Sequence, residues 1–301
     1  MKSIDRYCFV CERIFNHFEK NGYLICSNCG HNILQKRLEQ TFIINDVLDV
    51  DSVMKKDIFV RYKVNITKKF MRNNLLILDV GSGSGKFLYH VKNLFNEHVG
   101  IEVTKECIEF SVVKLKLKVI ADVDGLNSKV SVVTMWHSLE HIPEKEIHKI
   151  LNKIKMLSTE DVIIIISVPN VDSIQYKIFG KKFAYYDIPN HIHQFSVKSL
   201  NNLMAKYDFV PYKYFFSFSY SAFGYIQGFL NYFNKYHNYF YYRKKRGTDF
   251  KLGSISTFLF DFYNYLLLIV FLIPSILLTF LDRFCLKKGG VINICYQKKR
   301  N

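Results

Sequence analysis

The chain of 301 residues is 49% hydrophobic and carries a formal net charge of +16 at pH 7. This length fits one large domain or two smaller ones, and the apolar content is ample for a hydrophobic core. The charge favours an acidic partner such as nucleic acid, anionic lipid or a phosphorylated substrate, unless the basic side chains only form a solvated surface. Residues 1–6 lack the apolar segment of a signal peptide, so we expect a cytoplasmic protein whose paired cysteines bind metal.

Two CxxC pairs stand near the start of the chain, with fourteen residues between them. They are formed by Cys8, Cys11, Cys26 and Cys29. Four thiolates at this spacing suit a structural Zn²⁺ ion with no open position, the alternative being a redox pair or unligated thiols. We therefore predict a zinc ribbon over residues 1–32. Residues 33–71 have a broken amphipathic pattern, which predicts a helical linker.

The next segment has a glycine at every second position after an apolar run. Residues 75–78 are apolar, and Asp79 is followed by Gly81, Gly83 and Gly85. Glycines let a backbone turn sharply and approach a ligand, and a helix that starts there offers free N–H groups. The pattern predicts the strand, loop and helix of a nucleotide-binding unit, although its spacing differs from the GxGxxG of dinucleotide sites.

Strand and helix patterns then alternate, which predicts a doubly wound parallel sheet with its ligands at the carboxyl ends of the strands. The second strand ends at Glu102, which is placed to accept hydrogen bonds from ribose hydroxyls or, alternatively, to cap the next helix. The third strand ends at Asp122, and this residue or Asp124 could meet a nucleobase amine. Residues 161–170 form a β-branched run typical of a strand that is covered on both faces.

These motifs resemble those of class I S-adenosylmethionine-dependent methyltransferases over residues 72–216. The glycine loop with Asp79 matches the first family motif, residues 100–102 match the second, and residues 132–143 match the "LEH" segment after the fourth strand. Residues 187–196 resemble the D-x-P-x-H-x-x-x-F segment of a bacterial subgroup, some of whose members begin with a CxxC ribbon. Ser131 stands where the family usually has an acidic residue.

The resemblance implies a seven-stranded Rossmann-like sheet that binds S-adenosylmethionine. In that case Asp79 orients the ammonium of the amino-acid tail, and Glu102 holds the ribose. Asp122 is a weaker candidate for the adenine, and His137 lies near the reactive methyl. The residues implied to contact the cofactor are Asp79, Gly81, Gly83, Gly85, Glu102, Asp122 and His137.

An oxygen acceptor must lose its proton during methyl transfer, and a histidine with a pKa near neutrality suits that task. His191 is our first candidate for the general base and His193 the second, because both follow the fifth strand on the ligand side. One alternative is that His191 and His193 bind a metal ion together. The other is that His191 has a structural role. We expect His141 to be structural or to line the substrate pocket.

An apolar insertion over residues 217–288 interrupts the methyltransferase domain, which we assign to residues 72–216 and 289–301. Two uncharged runs, 214–234 and 262–281, are long enough for membrane helices. A spanning hairpin would place the basic run 243–246 outside, against the positive-inside rule, and Pro274 interrupts the second run. We therefore expect peripheral or monotopic contact with an anionic membrane, the alternative being an extra lobe or a dimer interface.

The expected activity is methyl transfer to a hydroxyl of a lipid-linked or nucleotide-linked sugar, or of another small or lipid acceptor, at the cytoplasmic membrane face. An RNA methyltransferase that uses the ribbon and the basic surface is the first alternative. A catalytically inactive binding scaffold is the second. The sequence leaves the oligomeric state open.

Overall fold

A computed structural model describes residues 3–35, 47–71, 75–188, 190–246, 254–286 and 288–299. They belong to two compact units. The first contains residues 1–168, 189–215 and 293–301, and the second contains residues 169–188 and 216–292.

The first unit begins with a small antiparallel sheet that carries the four cysteines. Its strands in the chain's first part are β1 (Ser3–Cys8), β2 (Arg13–Lys20), β3 (Tyr23–Cys26) and β4 (Asn32–Leu34). Each pairs with the next, and Gly30, at a φ of 71°, turns the chain back after the second cysteine pair. The predicted ribbon boundary at residue 32 thus falls at the first residue of β4.

Two helices follow within the predicted linker, of which residues 36–46 and 72–74 lie outside the described part. They are α1 (Val50–Met54) and α2 (Ile58–Phe70). Asp57 caps α2, because its Oδ1 accepts hydrogen bonds from the backbone N–H groups of Phe59 (3.0 Å) and Val60 (2.9 Å). Val64 and Phe70 lie on the buried face of α2 and join the core of the first unit.

The second sheet has seven strands and confirms the predicted fold class. Its elements in the first unit are, in chain order, β5 (Leu76–Val80), α3 (Lys86–Val91), β6 (Glu97–Ile101), α4 (Lys105–Val113), β7 (Val119–Ile120), β8 (Val130–Trp136), α5 (Glu144–Leu157) and β9 (Ser158–Pro169). Strands β5, β6, β7, β8 and β9 are joined by parallel pairs. Residues 162–168 are all buried, as the β-branched run predicts.

Later elements complete this sheet. After α6 (Ile174–Phe179) come β10 (His193–Gln194), which belongs to the first sheet, α7 (Val197–Ala205), and β11 (Phe209–Tyr214), which belongs to the second. The last strand, β12 (Val291–Lys298), pairs antiparallel with β11 and lies beside β9, which gives the order β11-β12-β9-β8-β5-β6-β7. Strand β12 thus lies within residues 289–301, which we assigned to the methyltransferase domain. Ser131, at the position of the missing acid, is buried and donates a hydrogen bond to the carbonyl of Leu76 at 3.1 Å.

The second unit contains the apolar helices α8 (Phe218–Phe233), α9 (Tyr239–Arg246) and α10 (Ser254–Leu281), followed by a π-helical turn at Asp282–Leu286. Helices α8 and α10 pack together, and the ring of Phe271 stacks on Phe229 with centroids 4.5 Å apart. Helix α10 continues through Pro274, although this proline interrupts the apolar run and proline tends to kink or end a helix.

One described helical segment, Ser256–Leu286, is long and apolar enough to cross a membrane by length and composition, with a mean hydropathy of 2.3. Only 17% of its most apolar stretch is buried. The first apolar run, 214–234, forms the end of β11 and the 16-residue helix α8, which is shorter than a membrane span.

Candidate active site

The glycine loop connects β5 to α3 and has the left-handed backbone that its spacing predicts. Gly81, Gly83 and Gly85 have φ values of 73°, 54° and 75°. A Cβ atom added to Gly81 would lie 2.4 Å from the Cβ of Ser138, so no side chain fits there. The loop therefore needs glycine both for its backbone conformation and for its close approach to the segment after β8.

Glu102 follows β6 and holds the glycine loop through its carboxylate. Its Oε2 accepts a hydrogen bond from Gly83 N (2.8 Å), and its Oε1 accepts from Val103 N (2.9 Å) and Thr104 N (2.8 Å). Val103 and Thr104 precede α4, so these two bonds hold the turn before that helix and do not cap it. Oε2 can accept a further bond, so the predicted contact with ribose hydroxyls stays a prediction.

Asp79 is buried at the end of β5. Thr134 on the neighbouring strand β8 donates a hydrogen bond to its Oδ1 at 2.6 Å. Burial raises the pKa of Asp79 to about 7, and the charge of Glu102 adds to this, although Thr134 and Lys63 oppose it. An ammonium group bound beside Asp79 would stabilise the carboxylate, which fits the predicted role in holding the amino-acid tail of the cofactor.

Asp122 has a partner that the sequence did not suggest. Lys149 Nζ on α5 lies 2.7 Å and 2.6 Å from its two carboxylate oxygens. These hydrogen bonds to Lys149 lower the pKa of Asp122, with a smaller contribution from the backbone N–H of Asp124. The proposed contact with the adenine would have to be made by a carboxylate that is already paired with lysine.

His137 follows β8 directly, as predicted, and has the unusual φ of 56° for a residue with a side chain. Its backbone N–H donates a hydrogen bond to the carbonyl of Ser167 at the end of β9 (2.9 Å). Left-handed backbone at a non-glycine residue costs free energy and is found preferentially at functional sites.

A buried cluster of acid and histidine lies just beyond His137. Ligand atoms of Glu140, His141 and His191 all lie within 4.8 Å of one another, although His191 is far from the other two in the sequence. Glu140 is fully buried, and His137 Nδ1 lies 3.5 Å from its Oε1. The rings of His141 and His191 meet edge to face, with centroids 4.6 Å apart. The structure thus joins the first candidate base to the "LEH" segment.

Electrostatics keep the carboxyl group of this cluster ionised. Burial raises the pKa of Glu140, but the interaction with His137 and the charges of His141 and His191 outweigh burial, and the pKa falls to about 2. The sequence did not point to Glu140 as a site residue, and we expected His141 to be structural or to line the substrate pocket. The match of residues 139–141 to a family motif was the signal that could have found both.

The loop that carries His191 is held by the cysteine-bearing sheet. Strand β10 extends this sheet by pairing antiparallel with β4. The hydroxyl of Tyr23 donates to the carbonyl of His191 (2.9 Å), and the N–H of Leu34 donates to that of Ile192 (2.9 Å). Ser196 Oγ donates to the carbonyl of Cys29 (2.8 Å), which ties the loop to the second cysteine pair.

His193, the second candidate base, lies in a different environment from His191. It is buried, and its ring packs against Phe9 (5.1 Å between centroids), His31 (5.2 Å) and Phe195 (6.0 Å). It does not belong to the group formed by Glu140, His141 and His191. This position favours His191 over His193 for contact with an acceptor.

The four N-terminal cysteines are brought together and are not joined by disulfides. The Sγ atoms of Cys8 and Cys29 are 3.8 Å apart, and those of Cys11 and Cys26 are 4.0 Å apart. A tetrahedral ion with Zn–S bonds of about 2.3 Å separates its thiolates by about 3.8 Å. The residues therefore fit Zn²⁺, and Asn28 Nδ2 donates to the Sγ of Cys11 at 3.3 Å.

The comparison with known families identifies residues 56–213, which match the model of a methyltransferase domain. Among solved structures, the chain is similar to the cyclopropane synthase MmaA2 of Mycobacterium tuberculosis (12% identity, TM-score 0.49, 79% of this chain and 84% of that one). It is also similar to a SAM-dependent methyltransferase of Archaeoglobus fulgidus (15% identity, TM-score 0.47, 82% of this chain and 97% of that one). No curated protein matches the chain. These likenesses identify no acceptor.

Proposed function

This chain belongs to the methyltransferase-domain family and is an S-adenosylmethionine-dependent methyltransferase, and on that premise we propose its acceptor. The methyl group is transferred to a hydroxyl of a lipid-linked or nucleotide-linked sugar, or of another small or lipid acceptor, at the cytoplasmic face of a membrane. The observation that carries this proposal is the buried cluster of Glu140, His141 and His191 beyond the carboxyl end of β8.

The donor side of the reaction depends on the glycine loop and the two acids beside it. Asp79 pairs with the ammonium of the cofactor's amino-acid tail, and Glu102, which already fixes Gly83, accepts hydrogen bonds from the ribose. The glycines let the backbone pass close to the tail. Binding supplies alignment, which is most of what an in-line displacement requires.

The acceptor side requires a group that receives a proton. The hydroxyl oxygen attacks the methyl carbon while the bond from that carbon to sulfur breaks, and sulfur keeps the electron pair. Histidine suits proton removal, and a neutral oxygen is a weak nucleophile until its proton leaves. His191 is the proposed base. Glu140 assists it with a buried negative charge, and His141 assists it with a second imidazole beside that charge.

The membrane part of the proposal is supported by the surface of α10. Ile269 and Ile273 are 70% and 68% exposed, and Phe258 and Leu277 are exposed to a similar extent. Exposed apolar residues of this size on one helix are typical of contact with a membrane. The sequence places basic residues at 243–246 and at Arg283, which suits anionic head groups.

A single labelling experiment separates the acceptor classes. Purified protein is incubated with methyl-labelled S-adenosylmethionine and an extract fractionated into lipid, sugar nucleotide, RNA and protein. We expect label in the lipid or sugar-nucleotide fraction, and no label when His191→Gln protein with intact cofactor binding replaces the wild type. Label in RNA would establish the RNA methyltransferase alternative, and label in no fraction would favour the inactive scaffold.

A further inference from the structure

The carboxylate of Glu140 is in an unusual position for a structural acid. It is fully buried, and neither of its oxygens has a hydrogen-bond partner among the described residues. The contact of His137 Nδ1 with Oε1 is 3.5 Å long, beyond the distance of a good hydrogen bond. A buried carboxyl group whose two oxygens lack hydrogen bonds is strongly unfavourable unless a cation or a charged partner compensates for it.

Two imidazoles lie where ligands of such a cation would be needed. His141 and His191 each have a ring nitrogen within 4.8 Å of a Glu140 oxygen and of each other. A metal ion with bonds of about 2.0–2.2 Å draws such atoms to within roughly 3.5 Å, so small side-chain rotations close the site.

The orientation of His141 fits a metal ligand. Its Nδ1 is 2.9 Å from the carbonyl oxygen of Asn190. A carbonyl only accepts hydrogen bonds, so Nδ1 carries the proton and the lone pair of Nε2 is available to an ion. Histidine ligands usually have this arrangement, in which the second nitrogen donates to a backbone carbonyl and fixes the ring.

We propose that Glu140, His141 and His191 bind a divalent transition-metal ion, Zn²⁺ in the first place, whose fourth position is open to the acceptor hydroxyl. Two histidines and one carboxylate with an open position are the donor set of many catalytic zinc sites. The site differs in kind from the closed group of four cysteines in the ribbon.

This inference rests on the proposed function and refines its chemical step. His191 then acts as a ligand, and the ion activates the hydroxyl in place of the imidazole. Coordination lowers the pKa of a bound hydroxyl, as it lowers that of water from 15.7 to about 7, so its proton passes to solvent. The oxygen forms a bond to the methyl carbon, the carbon–sulfur bond breaks, and the products are a methyl ether and S-adenosylhomocysteine. No oxidant or reductant is required.

Counting ions on the full-length protein tests the site without knowledge of the acceptor. The protein is equilibrated with buffered, micromolar free Zn²⁺, and native mass spectrometry counts the bound ions. We expect two ions on the wild type and one on Glu140→Gln and His191→Gln. His98→Gln, a histidine on β6 outside the cluster, should keep two. Binding of S-adenosylmethionine checks that each variant is folded.

Cobalt distinguishes the two sites in the same samples. Co²⁺ in the four-cysteine site gives intense sulfur-to-metal absorption, whereas a site of nitrogen and oxygen ligands gives weak bands only. The weak bands should disappear in Glu140→Gln and His191→Gln while the intense ones persist. A single ion on the wild type, or a second ion that both variants retain, would overturn the inference. Methyl labelling would be unaffected by that outcome, so it reports separately on the proposed function.

Discussion

The hydroxyl of Tyr23 donates a hydrogen bond to the backbone carbonyl of His191 across 2.9 Å. Tyr23 is fully buried on β3, within the sheet that carries the four cysteines, and His191 belongs to the buried cluster beyond β8. The cysteine-bearing sheet is therefore part of the support of the candidate active site. A structural metal in the ribbon would act on catalysis through this backbone contact and the β4–β10 pairing.

Removing the hydroxyl tests this relationship directly. Tyr23→Phe keeps the buried ring but leaves the carbonyl of His191 without its donor. A typical hydrogen bond contributes about 0.5–1.5 kcal/mol, so we expect kcat to fall by roughly 2- to 10-fold while the affinity for S-adenosylmethionine stays the same. Steady-state kinetics and calorimetry measure the two quantities. Tyr7→Phe, at an exposed tyrosine of β1, is the matched control, and equal kcat values for both variants would argue against a positioning role.

Loss of metal from the ribbon should loosen the same loop. Cys26→Ser removes one of the four thiolates, and metal affinity in such sites is lost with the ligand. We expect faster amide exchange at Leu34, whose N–H donates to Ile192, and throughout β10. Hydrogen exchange with mass spectrometry measures this. Cys107→Ser, at a buried cysteine outside the ribbon, should leave these amides protected, and unchanged protection in Cys26→Ser would separate the ribbon from the loop.

Cofactor binding should weaken in mild acid because of Asp79. Burial raises the pKa of this carboxyl to about 7, and only its ionised form attracts the ammonium of the cofactor. With this pKa the ionised fraction falls from about one half at pH 7 to about one eleventh at pH 6, so the affinity measured by calorimetry should fall about fivefold. Asp79→Asn should bind weakly at both values. A pH-independent affinity in the wild type would remove Asp79 from contact with the ammonium.

Charges on the exposed face of α10 should abolish membrane contact. Burying an isoleucine side chain contributes about 1.5–3 kcal/mol, so Ile269→Glu with Ile273→Glu should weaken binding to anionic vesicles at least about a hundredfold. Flotation of the full chain with such vesicles is the measurement. Met156→Glu changes a residue of α5 with the same exposure, 71%, and should bind like the wild type. If neither the wild type nor Met156→Glu floats with the vesicles, α10 is covered by protein and not by lipid.

Much of the fold could be predicted because it is encoded in short-range patterns. The apolar run before Asp79, the alternate glycines and the β-branched run of β9 each specify a local backbone, and the structure has those elements. Pro274 is the exception. The helical stretch around it is long enough for α10 to continue, although proline usually interrupts a helix.

The site was predicted less completely, since its members come from separate segments. Glu102 accepts a hydrogen bond from Gly83 N, and Lys149 from α5 pairs with Asp122. Neither partner is adjacent in the sequence. His193 shares a short motif with His191, yet only His193 lies on β10, and its ring packs against Phe9 whereas that of His191 meets His141.

The sequence alone determined the donor side of this protein: the order of strands and helices, the glycine loop beside Asp79 and the paired cysteines. These depend on spacing between near neighbours, which local backbone geometry converts directly into structure. Only the tertiary structure brought Glu140 and His141 to His191 and joined the β10 loop to the cysteine-bearing sheet. Contacts between distant segments follow from how the strands pack and pair, and no single stretch of sequence contains that information.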